Sequence, residues 1–170
     1  MELTVRAAEP TDALEVAEVH VRSWQAGYRG LLPDDYLDGL RPEERATRYT
    51  FGQSPSDAPE TIVALGGGSI CGFATTGQAR DGGQRRVGEL LALYVDPAHW
   101  GLGIGRTLVH EARSRLSERG FDDAILWVLA GNERAERLYR ADGWVADGER
   151  RRQEIWGVMA DEVRYRRTLR

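Results

Sequence analysis

Residues Gly88 to Arg106 read GELLALYVDPAHWGLGIGR, and the interpretation of this stretch decides the fold. From Val87 to Val95 the chain is apolar at nearly every position, the pattern of a strand covered on both faces. Asp96-Pro97 ends it, because proline donates no hydrogen bond and biases the residue before it away from helix. A glycine cluster follows, Gly101-Leu102-Gly103-Ile104-Gly105-Arg106. Beyond it Ile104, Leu108, Ala112 and Leu116 recur at helical spacing as far as Gly120, a C-terminal stop. A strand, a glycine-rich turn and a helix in this order place unpaired N–H groups and a partial positive charge at the turn, and glycines let a guest approach the backbone. The expected guest is a phosphate or pyrophosphate. The dinucleotide pattern G-x-G-x-x-G fails because Arg106 takes its last place, and the nucleotide P-loop fails for want of a lysine. A plain glycine-rich turn packed under a helix is the structural alternative.

On the N-terminal side, Leu3 to Ala8 is expected as a strand. Pro10-Thr11-Asp12 signals a helix start, with Glu15 spaced to close a capping box on Asp12. Leu14, Ala17, Val21 and Trp24 carry that helix to about Gln25, and Gly27 and Gly30 break it. Shorter helical pieces are expected over Asp34 to Leu40 and Glu43 to Tyr49, then a polar loop from Gly52 to Pro59. Thr61 to Leu65 and Ile70 to Gly77 form a hairpin around Gly66-Gly67-Gly68-Ser69, and a second glycine turn, Asp81-Gly82-Gly83, leads into the central strand. On the C-terminal side, Ala124 to Leu129 is a strand and Asn132 caps a helix that Gly143 stops. Trp144 to Arg150 and Val158 to Leu169 are the last strands. The order β-α-α-β-β-β-α-β-α-β-β specifies one α/β domain over residues 1–170, with a mixed sheet and a parallel strand-helix-strand unit at its centre.

Composition removes several classes of function. The chain has 170 residues, 41% hydrophobic and 29% charged, enough to bury a core. All 23 basic residues are arginine, which excludes Schiff-base and pyridoxal-phosphate enzymes that need a lysine amine. The net charge of −4 offers no general attraction to a polyanion, so nucleic acid is not expected as a partner, and Arg150-Arg151-Arg152 is expected to be a solvated turn or strand end. No apolar run is long enough to span a membrane, and no apolar stretch of signal-peptide type follows Met1 to Arg6. The lone Cys71 cannot form an internal disulfide or a cysteine zinc cage. His20, His99 and His110 have no metal or triad partner by spacing, so no metal is expected. A cytoplasmic protein without a membrane partner is expected.

The segment from Gly88 to Pro97 followed by Gly103-Ile104-Gly105, together with Gly131-Asn132-Glu133-Arg134-Ala135-Glu136-Arg137-Leu138-Tyr139-Arg140-Ala141-Asp142-Gly143-Trp144, resembles the GNAT superfamily of acetyl-CoA-dependent N-acetyltransferases. The resemblance covers most of the chain, from the first strand to Trp144. It implies the GNAT fold, a mixed central sheet of about seven strands flanked by about four helices. It also implies acetyl-CoA as co-substrate, held by Leu93, Tyr94, Val95, Trp100, Gly101, Leu102, Gly103, Ile104, Gly105, Arg106, Asn132 and Ala135. One position departs from the family pattern. Trp100 stands where the family's loop motif begins with glutamine or arginine, so a polar side-chain contact is not expected there and a hydrophobic lid on the helix start is.

Acetyl transfer from a thioester to an amine requires a neutral amine, stabilisation of the oxyanion and a proton for the leaving thiolate. An alkylamine has a pKa of about 10.4, so a base or a relay through water must take its proton at neutral pH. Glu89 is the candidate base, with a structural glutamate satisfied by Arg86 or Arg22 as the alternative. Strict alternation would put Glu89 on one face with Leu91, Leu93 and Val95; the family commonly has a bulge in this strand, which would switch faces. The resemblance implies that backbone groups of Leu93 and Val95 bond the pantetheine arm and that an N–H near Leu93 polarises the thioester carbonyl. Asn132 and Tyr139, two helical turns apart, face the same way, and Tyr139 is the candidate general acid.

Trp24 and Tyr28 are the candidate acceptor-binding residues, with the acidic group Asp34, Asp35 and Asp38 near them suiting a cationic amine. The expected activity is direct acetyl transfer in a ternary complex to a primary amine, either a small molecule or a peptide N-terminus. A non-catalytic acyl-CoA-binding or sensing domain is the alternative, and an unrelated phosphate-binding regulatory domain a weaker one. Members of the family often pair, so a homodimer is an expectation of the resemblance that these residues do not address.

Overall fold

A computed structural model describes residues 1–52, 58–80 and 86–170. Seven strands form one sheet in the order β1-β2-β3-β4-β5-β7-β6. They are β1 (Leu3–Ala7), β2 (Glu60–Gly66), β3 (Ser69–Gln78), β4 (Val87–Val95), β5 (Asp123–Leu129), β6 (Val145–Ile155) and β7 (Val158–Thr168). The helices are α1 (Ala13–Gly27), α2 (Asp34–Asp38), α3 (Pro42–Ala46), α4 (Ile104–Glu118) and α5 (Glu133–Ala141). Every neighbouring pair is antiparallel except β4 and β5, which are joined through α4 and run parallel. This is the mixed seven-stranded sheet expected from the sequence. The turn expected at Asp81-Gly82-Gly83 and the middle of the Gly52–Pro59 loop lie outside the described residues.

The two faces of the sheet are covered by different helices. Leu108, Val109, Ala112 and Leu116 of α4, with Tyr139 of α5, pack on Leu90, Leu126 and Tyr165. On the other face Val16 and Val19 of α1 meet Val63 and Phe73, while Val21 and Trp24 meet Leu129 and Ala160. Burial of these apolar stripes on both sides explains the near-continuous apolar sequence of β4 and β5. No helix among the described residues is long and apolar enough to cross a membrane.

Three local expectations are corrected. Asp12 does not form a capping box with Glu15; it accepts the Glu9 N–H at 2.7 Å and pairs with Arg6, while Glu15 accepts the Ile70 N–H at 2.7 Å. A long-range partner thus takes the glutamate that local spacing had assigned to a cap. The strand expected to end at Arg150 continues to Ile155, and its alternation turns Arg151 inward while Arg150 and Arg152 are exposed. Trp144 precedes that strand; its indole is fully buried and donates to Asp142 at 3.0 Å.

Candidate active site

The parallel seam between β4 and β5 is short. Pairing runs from Val87–Asp123 to Leu90–Leu126, although β4 continues to Val95 and β5 to Leu129. A β-bulge lies where the pairing stops: Thr75 opposes Ala92 and Thr76 opposes Leu90, so Leu91 is the extra residue. The bulge changes which residues share a face. Leu90, Leu93 and Val95 belong to the α4 side, and Ala92 and Tyr94 to the α1 side. Glu89, one residue before Leu90, therefore shares the α1 face with Ala92 and Tyr94, not with Leu93 and Val95 as strict alternation would have it.

The backbone beyond the bulge faces the open seam. The Asp96 N–H points to β3, where it donates to the Cys71 carbonyl at 2.8 Å. Alternation then turns the N–H groups of Leu93 and Val95 the other way, toward the side that β5 has left. The Trp100 indole N–H donates to the Val95 carbonyl at 2.8 Å, so that one acceptor is engaged within the chain.

A cavity of about 440 Å³ occupies this opening. Glu89, Leu93, Tyr94, Val95, Trp100, Gly101, Gly103, Ile104, Gly105, Arg106, Asn132, Ala135 and Tyr139 line it, as do Trp24 and Tyr28. Leu102 does not line it; the side chain is largely exposed. At the mouth, Gly103 has a φ of +83°, a conformation glycine adopts without steric cost, and stands immediately before α4. A Cβ on Gly103 would meet nothing within 4 Å, whereas one on Gly105 would lie 3.2 Å from Leu138. The first glycine therefore keeps the backbone open to a guest; the second lets α4 approach α5.

Glu89 is buried, 3% exposed, and its carboxylate accepts the Arg80 N–H at 3.4 Å. The two arginines considered as its partners are engaged elsewhere: Arg22 with Asp96 at 2.5 Å, Arg86 with the Arg119 carbonyl and the Phe121 ring. Asn132 caps α5 by accepting the Ala135 N–H at 3.3 Å, and Tyr139 stands two turns along the same helix. Burial, and secondarily the neighbouring Tyr94, pushes the Tyr139 phenol well above its ordinary pKa. Tyr28 and Tyr94 are likewise raised by burial, and their hydroxyls lie 3.5 Å apart.

The structure adds residues that spacing did not single out. Trp100 has a partner across the seam: the Arg134 guanidinium lies 3.2 Å from its ring centroid, joining the loop after β4 to the helix after β5. Gly27 makes room for this stack, since a Cβ there would sit 3.1 Å from Arg134 Nη2. At the other end, Arg151 pairs with the buried Glu162 at 2.8 Å and lies 4.2 Å from the Trp127 ring centroid, and all three line the cavity. Asp34 and Asp38, by contrast, are exposed partners of Arg29 and do not reach the cavity. No group of three or more potential metal ligands occurs among the described residues.

Residues 20–144 match the model of the acetyltransferase (GNAT) family. An uncharacterized N-acetyltransferase of Bacillus subtilis, YuaI, is 32% identical over 130 residues, covering 76% of this chain and 73% of that protein. Among solved structures, an N-acetyltransferase from Staphylococcus aureus superposes with a TM-score of 0.77 at 19% identity, over 100% of both chains. PaiA N-acetyltransferase from Thermoplasma acidophilum, in complex with coenzyme A, superposes with a TM-score of 0.74 at 21% identity, over 99% of both chains. The chain belongs to the GNAT acetyltransferase family.

Proposed function

We propose that this GNAT-family chain, acting as one domain over residues 1–170, moves an acetyl group from acetyl-CoA to a primary amine with both substrates bound together. The observation that carries this reading is the opened β4–β5 seam. Leu93 and Val95 present backbone to it, Gly103 to Arg106 stand at its mouth, and Glu89 and Tyr139 line the same cavity. The residues present fit acetyl-CoA: the glycines at the start of α4 leave N–H groups open to a diphosphate, with Arg106 and Arg134 on the same cavity. Asn132 and Ala135 would flank the pantetheine arm.

Acetyl-CoA supplies the thioester; in the transfer the amine nitrogen bonds to the carbonyl carbon, the C–S bond breaks, nitrogen loses one proton and sulfur gains one. The Leu93 N–H donates to the carbonyl oxygen as negative charge gathers there. Glu89 takes the amine proton, directly or through a water molecule. Tyr139 donates its hydroxyl proton toward sulfur. Burial raises its pKa, which favours the protonated, donating form while making the phenol a weaker acid.

Trp24, Tyr28 and Tyr94 offer aromatic faces to a cationic acceptor, a small-molecule amine or a peptide N-terminus. The setting proposed is cytoplasmic. A thiol-release assay with acetyl-CoA and a panel of amines tests the reading, with one CoA expected per acetylated amine. Saturable acetyl-CoA binding without thiol release on any acceptor would support an acyl-CoA-sensing domain instead.

A further inference from the structure

The hairpin between β6 and β7 turns on Trp156 and Gly157, whose φ values are +48° and +83°. Two-residue turns with positive φ at both central positions ordinarily use Asn-Gly, Asp-Gly or Gly-Gly. Trp156 is the only non-glycine residue with positive φ among those described, a strained conformation that the surrounding structure must hold. Its surroundings show what holds it. The indole lies 4.9 Å from the His20 ring and 5.0 Å edge-on to Trp24, both on α1. The Arg45 guanidinium of α3 lies 5.0 Å from its ring centroid, and the Tyr36 hydroxyl of α2 donates to its carbonyl. The hairpin tip is thereby fastened to all three N-terminal helices.

The fastening has a consequence for the cavity. Ile155 and Val158, the residues flanking the turn, line it together with Trp24, Tyr28 and Leu32 from the helical side. These residues, with Trp156 and Tyr36, form one apolar cluster. An extended peptide laid between helices and hairpin needs about 5 Å from its own main chain to the main chain on each side. At the hairpin tip side chains occupy that space: Trp156 packs against His20 and Trp24, and Tyr36 donates to its carbonyl.

We infer that Trp156 sets the acceptor class: by wedging the β6–β7 hairpin against α1 it closes the acceptor end of the cavity, admits a small primary amine and shuts out an extended polypeptide N-terminus. This rests on the acetyl-transfer reading above and narrows its acceptor. Trp24, Tyr28 and Glu89 line the same cavity as Ile155 and Val158 and would meet a small amine there.

The experiment compares kcat/KM, by thiol release from acetyl-CoA, for a series of small alkylamines, diamines and amino alcohols and for short peptides with free N-termini. In the wild type the best small amine is expected to exceed the best peptide by about 100-fold or more. Trp156→Gly keeps a residue suited to positive φ while removing the wedge, and should narrow that ratio about tenfold. Acetyl-CoA affinity, read by calorimetry, should stay within about twofold. Tyr36→Phe, which removes only the hydroxyl tie, should move the ratio the same way by less. A wild type that prefers peptides overturns the inference, and so does a folded, acetyl-CoA-binding Trp156→Gly whose ranking is unchanged. Failure of the wild type to bind acetyl-CoA is a separate result: it removes the acetyl-transfer reading, and the acceptor inference falls with it.

Discussion

The two ends of the cavity are built in opposite ways. The end at the start of α4 comes from one short segment, Val95 to Arg106, with Asn132, Arg134 and Ala135 across the seam. Under the proposed function its recognition groups would be mostly backbone N–H donors that glycine leaves uncovered, a device indifferent to most side chains. The other end draws Trp24 and Tyr28 from α1 and the turn after it, Tyr94 from β4, Trp127 from β5, and Ile155, Val158 and Glu162 from the β6–β7 hairpin. Every group there is a side chain held by packing. A backbone device suits a ligand common to a whole family, whereas an assembled side-chain surface can differ from one member to the next. Under the proposed function, selectivity for the acceptor would therefore belong to the assembled end.

Substitutions can break this contrast or sharpen it. The largest effect is expected at the backbone end. Gly103→Glu places a carboxylate where a diphosphate would lie and forces a side chain into a left-handed conformation, a strain of about 1–2 kcal/mol. Acetyl-CoA affinity should fall more than about 100-fold in calorimetry while a melting curve still shows a folded protein; normal binding would move the phosphate site elsewhere. Next come the groups assigned to proton transfer, whose loss should cost turnover and spare binding. Tyr139→Phe should lower kcat about 10–100-fold with acetyl-CoA affinity within about twofold, and Glu89→Gln should cost about 100-fold near neutrality. The Glu89→Gln deficit should shrink as pH approaches about 10, because more of the amine then arrives already neutral.

Smaller effects are expected away from the chemistry. Gly27→Ala adds a Cβ at the end of α1, 3.1 Å from Arg134 Nη2, and crowds Arg134 off Trp100. A melting temperature that holds or rises with a few-fold change in acetyl-CoA affinity would place the Trp100–Arg134 stack in cofactor binding; no change in affinity would remove it. The smallest effect concerns His20, whose pKa burial and then Arg45 hold well below its ordinary value. The unfolded chain takes up a proton near pH 6.5 and the folded chain does not. Stability therefore declines as pH drops below that value, by at most about 1.4 kcal/mol per pH unit. His20→Gln should flatten melting temperature against pH between 5 and 6.5, and an unchanged slope would show that other groups set it.

The same contrast explains what the sequence makes legible. β4, α4 and α5 announce themselves through local signals: the apolar run Val87–Val95, the helical stripe from Ile104 to Leu116, the Asn132 cap and the Gly143 stop. The glycine loop at the mouth is equally local. The bulge at Leu91 is not, because it depends on how β3 pairs with β4, and without it Glu89 is assigned to the wrong face. Glu15 looks like a cap until the Ile70 N–H, 55 residues away, competes for it. Arg151 looks solvated within a run of three arginines until strand alternation and Glu162 turn it inward. Trp156 had a visible sign, a bulky residue before Gly157 at a turn, yet its partners His20, Trp24, Tyr36 and Arg45 are more than a hundred residues distant.

The most direct test of the central claim is a calorimetric titration of the purified chain with acetyl-CoA, with CoA and ATP as controls. The opened seam, with its glycine mouth and backbone wall, predicts saturable binding of acetyl-CoA and CoA and none of ATP at the same concentrations. Absence of acetyl-CoA binding at millimolar ligand, or ATP binding as tight as acetyl-CoA, would contradict it.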